Sequence, residues 1–129
     1  MKKYLLSLVF IAATLFANSQ SNVNVRAMIP GYKTNDTIKI ADFLKLNEIS
    51  VNNKEFSIVR FTLAFSDGLS DYEEVSNSNK ITDKMKSALS KVQLHDSKPR
   101  HIVIKDISIK SSQNKSLKLE NLVYIIKWI

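Results

Sequence analysis

Two histidines are present, His95 and His101, and they flank Asp96, so two imidazoles and a carboxylate are available to a metal. The spacing works against that use. Six residues along a strand cover ~20 Å, and an interval of six fits no helix face. Only a turn at Pro99 would bring the rings together, and a catalytic zinc takes three well-placed protein ligands. Surface polar roles are the plainer reading. Asp67, Asp71, Glu73 and Glu74 surround Gly68 in an acidic segment, a composition of hard oxygen ligands that suits calcium. Their order lacks the alternating Asp/Asn pattern closed by a bidentate Glu. A solvated acidic loop that offsets nearby lysines is expected instead.

Nucleophilic chemistry finds little support. The chain has no cysteine, which removes thiolate nucleophiles, disulfides and every Cys-based metal or cluster site. It has two glycines, too few for a phosphate-cradling loop or a Gly-x-Ser-x-Gly elbow. A pair of glycosidase carboxylates would need a cleft that a domain of this size scarcely has beside its own core. Tyr32, Tyr72 and Trp128 are candidates for a sugar-binding aromatic platform. Tyr124 and Trp128, four apart on one strand, share a face and read first as core. No catalytic, cofactor-binding or metal-ligating residue is therefore assigned, no cofactor is expected, and the chain reads as a non-enzyme.

The 129 residues, 44% hydrophobic and 24% charged, fall in the range of a single folded domain. Residues 1–20 look like an address. Lys2 and Lys3 precede an apolar run over residues 4–16, followed by Ala17, Asn18, Ser19 and Gln20, the pattern of a secretory signal peptide. The run is shorter than the ~20 residues that span a bilayer. Ala17 and Ser19 provide the small residues for cleavage before Gln20 or one residue later. Residues 21–129 then form one domain, exported to the periplasm or beyond, without a transmembrane anchor. Its +7 formal charge falls to +5 once Lys2 and Lys3 are removed. The lysines are dispersed, which describes a solvated surface and not a nucleic-acid footprint.

The elements that would position these residues are mostly strands. Val23, Val25, Ala27 and Ile29 alternate with polar neighbours until Pro30-Gly31, and Ile38 and Ile40 share a face over residues 37–40. Residues 41–46 suit either a helical turn or continued strand. Residues 55–66 are the strongest strand: Val59, Phe61, Leu63 and Phe65 on one face, Phe56 and Ile58 on the other. A bulge, or a bend between two sheets, would account for that switch. Residues 66–80 are polar and acidic, a long loop or an edge ribbon. Thr82 as cap, Asp83 in the first turn, and Ile81, Met85, Ala88, Leu89 and Val92 at helical spacing place one helix over residues 82–92. In the strand over residues 101–110 the face switches again, between Ile104 and Ile107. The last strand, from about residue 117, carries Leu122, Tyr124, Ile126 and Trp128 on one face. Val123 and Ile125 make it apolar on the other, as a central strand would be. The expected fold is mainly β: an antiparallel immunoglobulin-like β-sandwich with one crossover α-helix.

From Ile38 onward the order of features resembles the C-terminal domain of the gliding-motility protein GldM, a periplasmic component of the type IX secretion machinery of Bacteroidota. The resemblance rests on Phe56, then Val59-Arg60-Phe61-Thr62-Leu63-Ala64-Phe65, the helix start Ile81-Thr82-Asp83-Lys84-Met85, the run Ile102-Val103-Ile104-Lys105-Asp106-Ile107, and the closing Lys118-Leu119-Glu120-Asn121-Leu122-Val123-Tyr124-Ile125-Ile126-Lys127. It covers about ninety residues. In place of the glycine that the family usually carries between helix and strand stands His95-Asp96-Ser97-Lys98, and Ser111-Ser112-Gln113-Asn114 forms the final turn. Without the transmembrane helix and further periplasmic domains of a full GldM, coupling to a motor is not implied. The resemblance implies an exported protein-interaction module of the cell envelope, partnered by an envelope protein or complex, with secretion or motility as its setting. The other reading is a glycan- or envelope-polymer-binding module using lysines and exposed aromatics.

Overall fold

Two strands of about a dozen residues each form the spine of the molecule, and both carry isoleucine, phenylalanine or leucine at the inward positions between their ends. A computed structural model describes residues 24–66, 68, 70–92 and 98–128; the signal-peptide reading of residues 1–20 lies outside the described residues. In chain order the elements are β1 (Ala27–Met28), β2 (Thr37–Lys39), α1 (Ile40–Phe43), β3 (Ser50–Val51), β4 (Phe56–Ser66), β5 (Asp71–Ser76), α2 (Asp83–Val92), β6 (Arg100–Ser111), β7 (Ser116–Leu119) and β8 (Leu122–Lys127). The main sheet runs β2-β8-β6-β4-β5, with β7 beside the second half of β6, and β1 and β3 pair separately. The chain is thus a mainly β sandwich with a crossover helix, as the sequence implies. One layer is the six-stranded sheet. The other is assembled from the β1–β3 ladder, α1 and α2.

Pairing is antiparallel throughout except between β2 and β8, which run parallel with Ile38 opposite Ile126. The segment over residues 37–40 does not end as a strand: the backbone turns helical at Ile40, and residues 40–43 form the single turn α1. The first strand is also shorter than its alternation suggests, because β3 offers only two partners. Even so, Val25, Ala27 and Ile29 stay buried while Asn24, Arg26 and Met28 face solvent. The acidic ribbon over residues 66–80 contains β5, an edge strand paired with β4 from Phe61↔Ser76 to Ser66↔Asp71. From that edge α2 carries the chain across β4 to β6. The Met85 N–H donates to Thr82 Oγ1 at 3.2 Å, which satisfies one of the donors that a helix start leaves open.

The face switches resolve as bulges. Ile58 pairs with Ile109, Arg60 with Ser108 and Thr62 with Lys105. β4 therefore holds one extra residue at Val59, and β6 then holds one at Asp106, whose φ of 50° is left-handed. At the same level Glu120 and Asn121 separate β7 from β8. The parity of three neighbouring strands changes along one line, so the same face stays buried on both sides of it. Ile58, Phe61, Leu63, Phe65, Ile102, Ile104, Ile107 and Ile109 all enter the core. Val59 is the exception to the expected face: as the bulged residue it is 38% exposed. Against this face lie Ile29, Ile49, Phe43, Met85, Leu89 and Val92 from the second layer, in a single cluster with Tyr124 and Ile126. Each such side chain taken from water contributes ~1.5–3 kcal/mol.

Candidate functional site

Side chains alternate across a sheet, so the residues left by the core define its other, outer face. The bulge line divides that face in two. On the side of β5 and β8, the ladder places Glu73, Ala64, Val103 and Val123 in one row. The next row holds Asp71, Ser66, His101, Ile125 and Thr37. Ala64, Val103, Val123 and Ile125 are half-buried by their flanking strands, and Val75 is 43% exposed. None of them belongs to the core cluster or packs against it. The second-layer elements among the described residues put their buried side chains into that cluster, on the opposite face. On the other side of the line the outward ladder positions are Ser57, Arg60, Ser108, Lys110, Ser116 and Lys118, with the bulged Val59 as the one exposed apolar side chain beside them.

Charge is distributed unevenly around the apolar rows. Asp71 and Glu73 stand on the β5 edge. Lys39 and Lys127, register partners on β2 and β8, stand at the opposite edge. Between them the Lys105 ammonium donates to Glu73 Oε1, an ion pair that reaches diagonally across β4. Thr62, between Val75 and Lys105 in the ladder, is only 4% exposed. That hydrogen bond to the Glu73 carboxylate raises the Lys105 pKa above the ordinary lysine value, the negative charges of Glu73 and Asp106 add to it, and partial desolvation opposes it.

The chemistry-bearing residues of the sequence are dispersed. His95, Asp96 and Asp67 lie outside the described residues. His101 is an exposed side chain of β6. Of the acidic cluster, Glu73 pairs with Lys105, and Glu74 lies 3.6 Å from Lys84 of α2. These carboxylates ride on a strand and not in a cation-binding loop, and among the described residues no group of three or more His, Asp or Glu converges. The three aromatics do not make a platform: Trp128 is in the core at 6% exposure, Tyr32 is half-buried against it, and Tyr72 stacks on Phe65 with centroids 5.3 Å apart. Tyr124 is a core residue too. Its hydroxyl accepts from the Ile29 N–H at 3.3 Å, and burial pushes its pKa up from the ordinary phenol value.

A groove of about 640 Å³ runs between Asn47-Glu48, the end of β5 and the start of α2. Its lining includes Ser76, Ser78, Thr82, Lys80 and Lys86 but no histidine. The Ser76 hydroxyl donates to the Lys80 carbonyl at 2.7 Å, and Thr82 Oγ1 caps the helix. Both hydroxyls are thus engaged in shaping the backbone. Among the described residues no helix is long and apolar enough to cross a membrane.

From the sequence Val123 and Ile125 mark only a central strand, which β8 is, between β2 and β6, and no contact residue is assigned. The signal for the outer rows was Val103 between Ile102 and Ile104, and Val75 in an otherwise acidic strand. No protein-family model matches this chain, and no curated protein does.

Proposed function

We propose that this protein is an exported, non-enzymatic interaction module of the bacterial cell envelope, similar to the C-terminal domain of GldM and working beside secretion or motility components. Its contact surface is the outer face of the main sheet on the side of β5 and β8. The observation that carries this reading is the contrast across the bulge line: Ala64, Val103, Val123 and Ile125 on one side, serines, lysines and Arg60 on the other. A solvated sheet face alternates apolar-in and polar-out, and apolar outward rows that no other described element covers are characteristic of interaction surfaces. The signal pattern of residues 1–20 supports export.

Affinity capture from an envelope extract tests it, with the wild-type protein and an Ile125→Glu variant as paired baits. A discrete set of envelope proteins retained by the first and lost by the second is expected. Recovery of the same background by both overturns the reading.

A further inference from the structure

We propose that the edge of β5 takes up an extended segment of a partner protein as an added strand, and that this segment is one carrying lysine or arginine. The inference rests on the reading of the protein as an interaction module and moves from the outer face to its border. An edge strand presents a row of unpaired N–H and C=O groups, and proteins blunt such edges with short strands, lysines, prolines or bulges. The other edges among the described residues are blunted in this way. β2 is three residues long and carries Lys39, β7 is four residues long and carries Lys118, and β1 and β3 have two residues each. β5 runs for six residues without lysine or proline, and its register against β4 is continuous, with no bulge. Over Glu73–Ser76 no described strand stands on its other side.

What guards this edge is charge. Asp71, Glu73 and Glu74 put three carboxylates on β5, in a chain whose formal charge is +5 once Lys2 and Lys3 are removed. Opposite charges on neighbouring strands are stabilising and like charges directly opposite are destabilising. The edge therefore repels an acidic strand, a second β5 included, and admits a basic one. Glu73 and Glu74 already have Lys105 and Lys84 beside them, whereas exposed Asp71 has no ion pair among the described residues. In strand addition the main-chain hydrogen bonds supply affinity and alternate side chains supply selectivity. One short strand covers less than the ~1,200 Å² at which stable complexes begin, so the association is weak, with a dissociation constant on the order of 0.1 mM.

The probe is a peptide of about eight residues alternating lysine and valine, capped at both ends and titrated into isotope-labelled protein. The expected result is saturable amide shifts at Glu73, Glu74, Val75 and Ser76, slower hydrogen exchange of the β5 amides that face away from β4, and binding that weakens as salt is raised. Glutamate in place of lysine is expected to weaken the peptide about tenfold. Proline in place of valine removes alternate N–H donors and is expected to abolish binding. Asp71→Lys, at an exposed position, should weaken the lysine peptide by about threefold. No saturable shift up to about 1 mM peptide, shifts centred on Val103, Val123 and Ile125, or equal binding of the three peptides overturns the proposal. Envelope proteins retained in the capture experiment and lost with Ile125→Glu, with no peptide response at β5, remove strand addition and leave the outer-face contact in place. Background alone in that capture, with no peptide response, ends both.

Discussion

The two halves of the main sheet share strands and core but not an outer surface. On one side of the bulge line, β4 and β6 continue into Thr62, Ala64, Val103 and Lys105; on the other, the same strands show Ser57, Arg60, Ser108 and Lys110. Inward, the halves are equivalent, with Phe61, Leu63, Ile102 and Ile104 matched by Ile58, Ile107 and Ile109. Folding therefore does not explain the difference. A surface that only had to stay soluble would look like the second half throughout, and this contrast is what the proposed contact surface rests on.

The comparison breaks most severely if the line between the halves is removed. Deleting Asp106 takes the extra residue from β6 and inverts every side chain on one side of it. Either Ile102 and Ile104 or Ile107 and Ile109 would then point outward, at ~2–5 kcal/mol per lost core side chain. The sum approaches the whole stability of a small domain, ~5–15 kcal/mol. An unfolded chain by circular dichroism is the expected outcome. A cooperative melt close to that of the wild type would show that the bulge does not set the faces.

A smaller effect is expected where the second layer grips the core. Tyr124→Phe leaves the Ile29 N–H without its acceptor, a loss of ~1–2 kcal/mol in urea unfolding. The pH dependence carries a definite sign. Burial raises the Tyr124 pKa in the folded state, so above the ordinary phenol value of ~10 the unfolded chain ionises first and stability falls as pH rises. The variant should lose part of that alkaline decline. An unchanged slope between about pH 9 and 11 would exclude Tyr124 as its source. Smallest is Lys105→Met: the ion pair with Glu73 is exposed to solvent, and such pairs add little to stability. Its thermal midpoint should match the wild type. A large drop would mean that the strap across β4 holds β5 to β6.

What the sequence made legible depended on range. Thr82 and the spacing of Ile81, Met85, Leu89 and Val92 placed α2, because a cap and one helical stripe are local facts. The breaks near Ile58 and Asp106 could be seen as well. Their meaning could not, since an inverted alternation looks the same whether the chain crosses to a second sheet or inserts a residue. Only the register against Ser108 and Lys105 decides, and with it the exposure of Val59. β3 carries no signal of its own, being two residues held by the chain before it. The outer face was half visible in Val123 and Ile125, but the row that joins them to Val103 and Ala64 exists only after three strands are paired.

The parallel match of Ile38 with Ile126 unites the early and late parts of the described chain. An edge strand that needs β8 as its template has nowhere to dock until β8 has been made. Long-range closure of this kind slows folding and leaves apolar segments waiting in the open. The nascent chain should thus remain pliable and vulnerable to proteases along β2 until β8 emerges to pair with it.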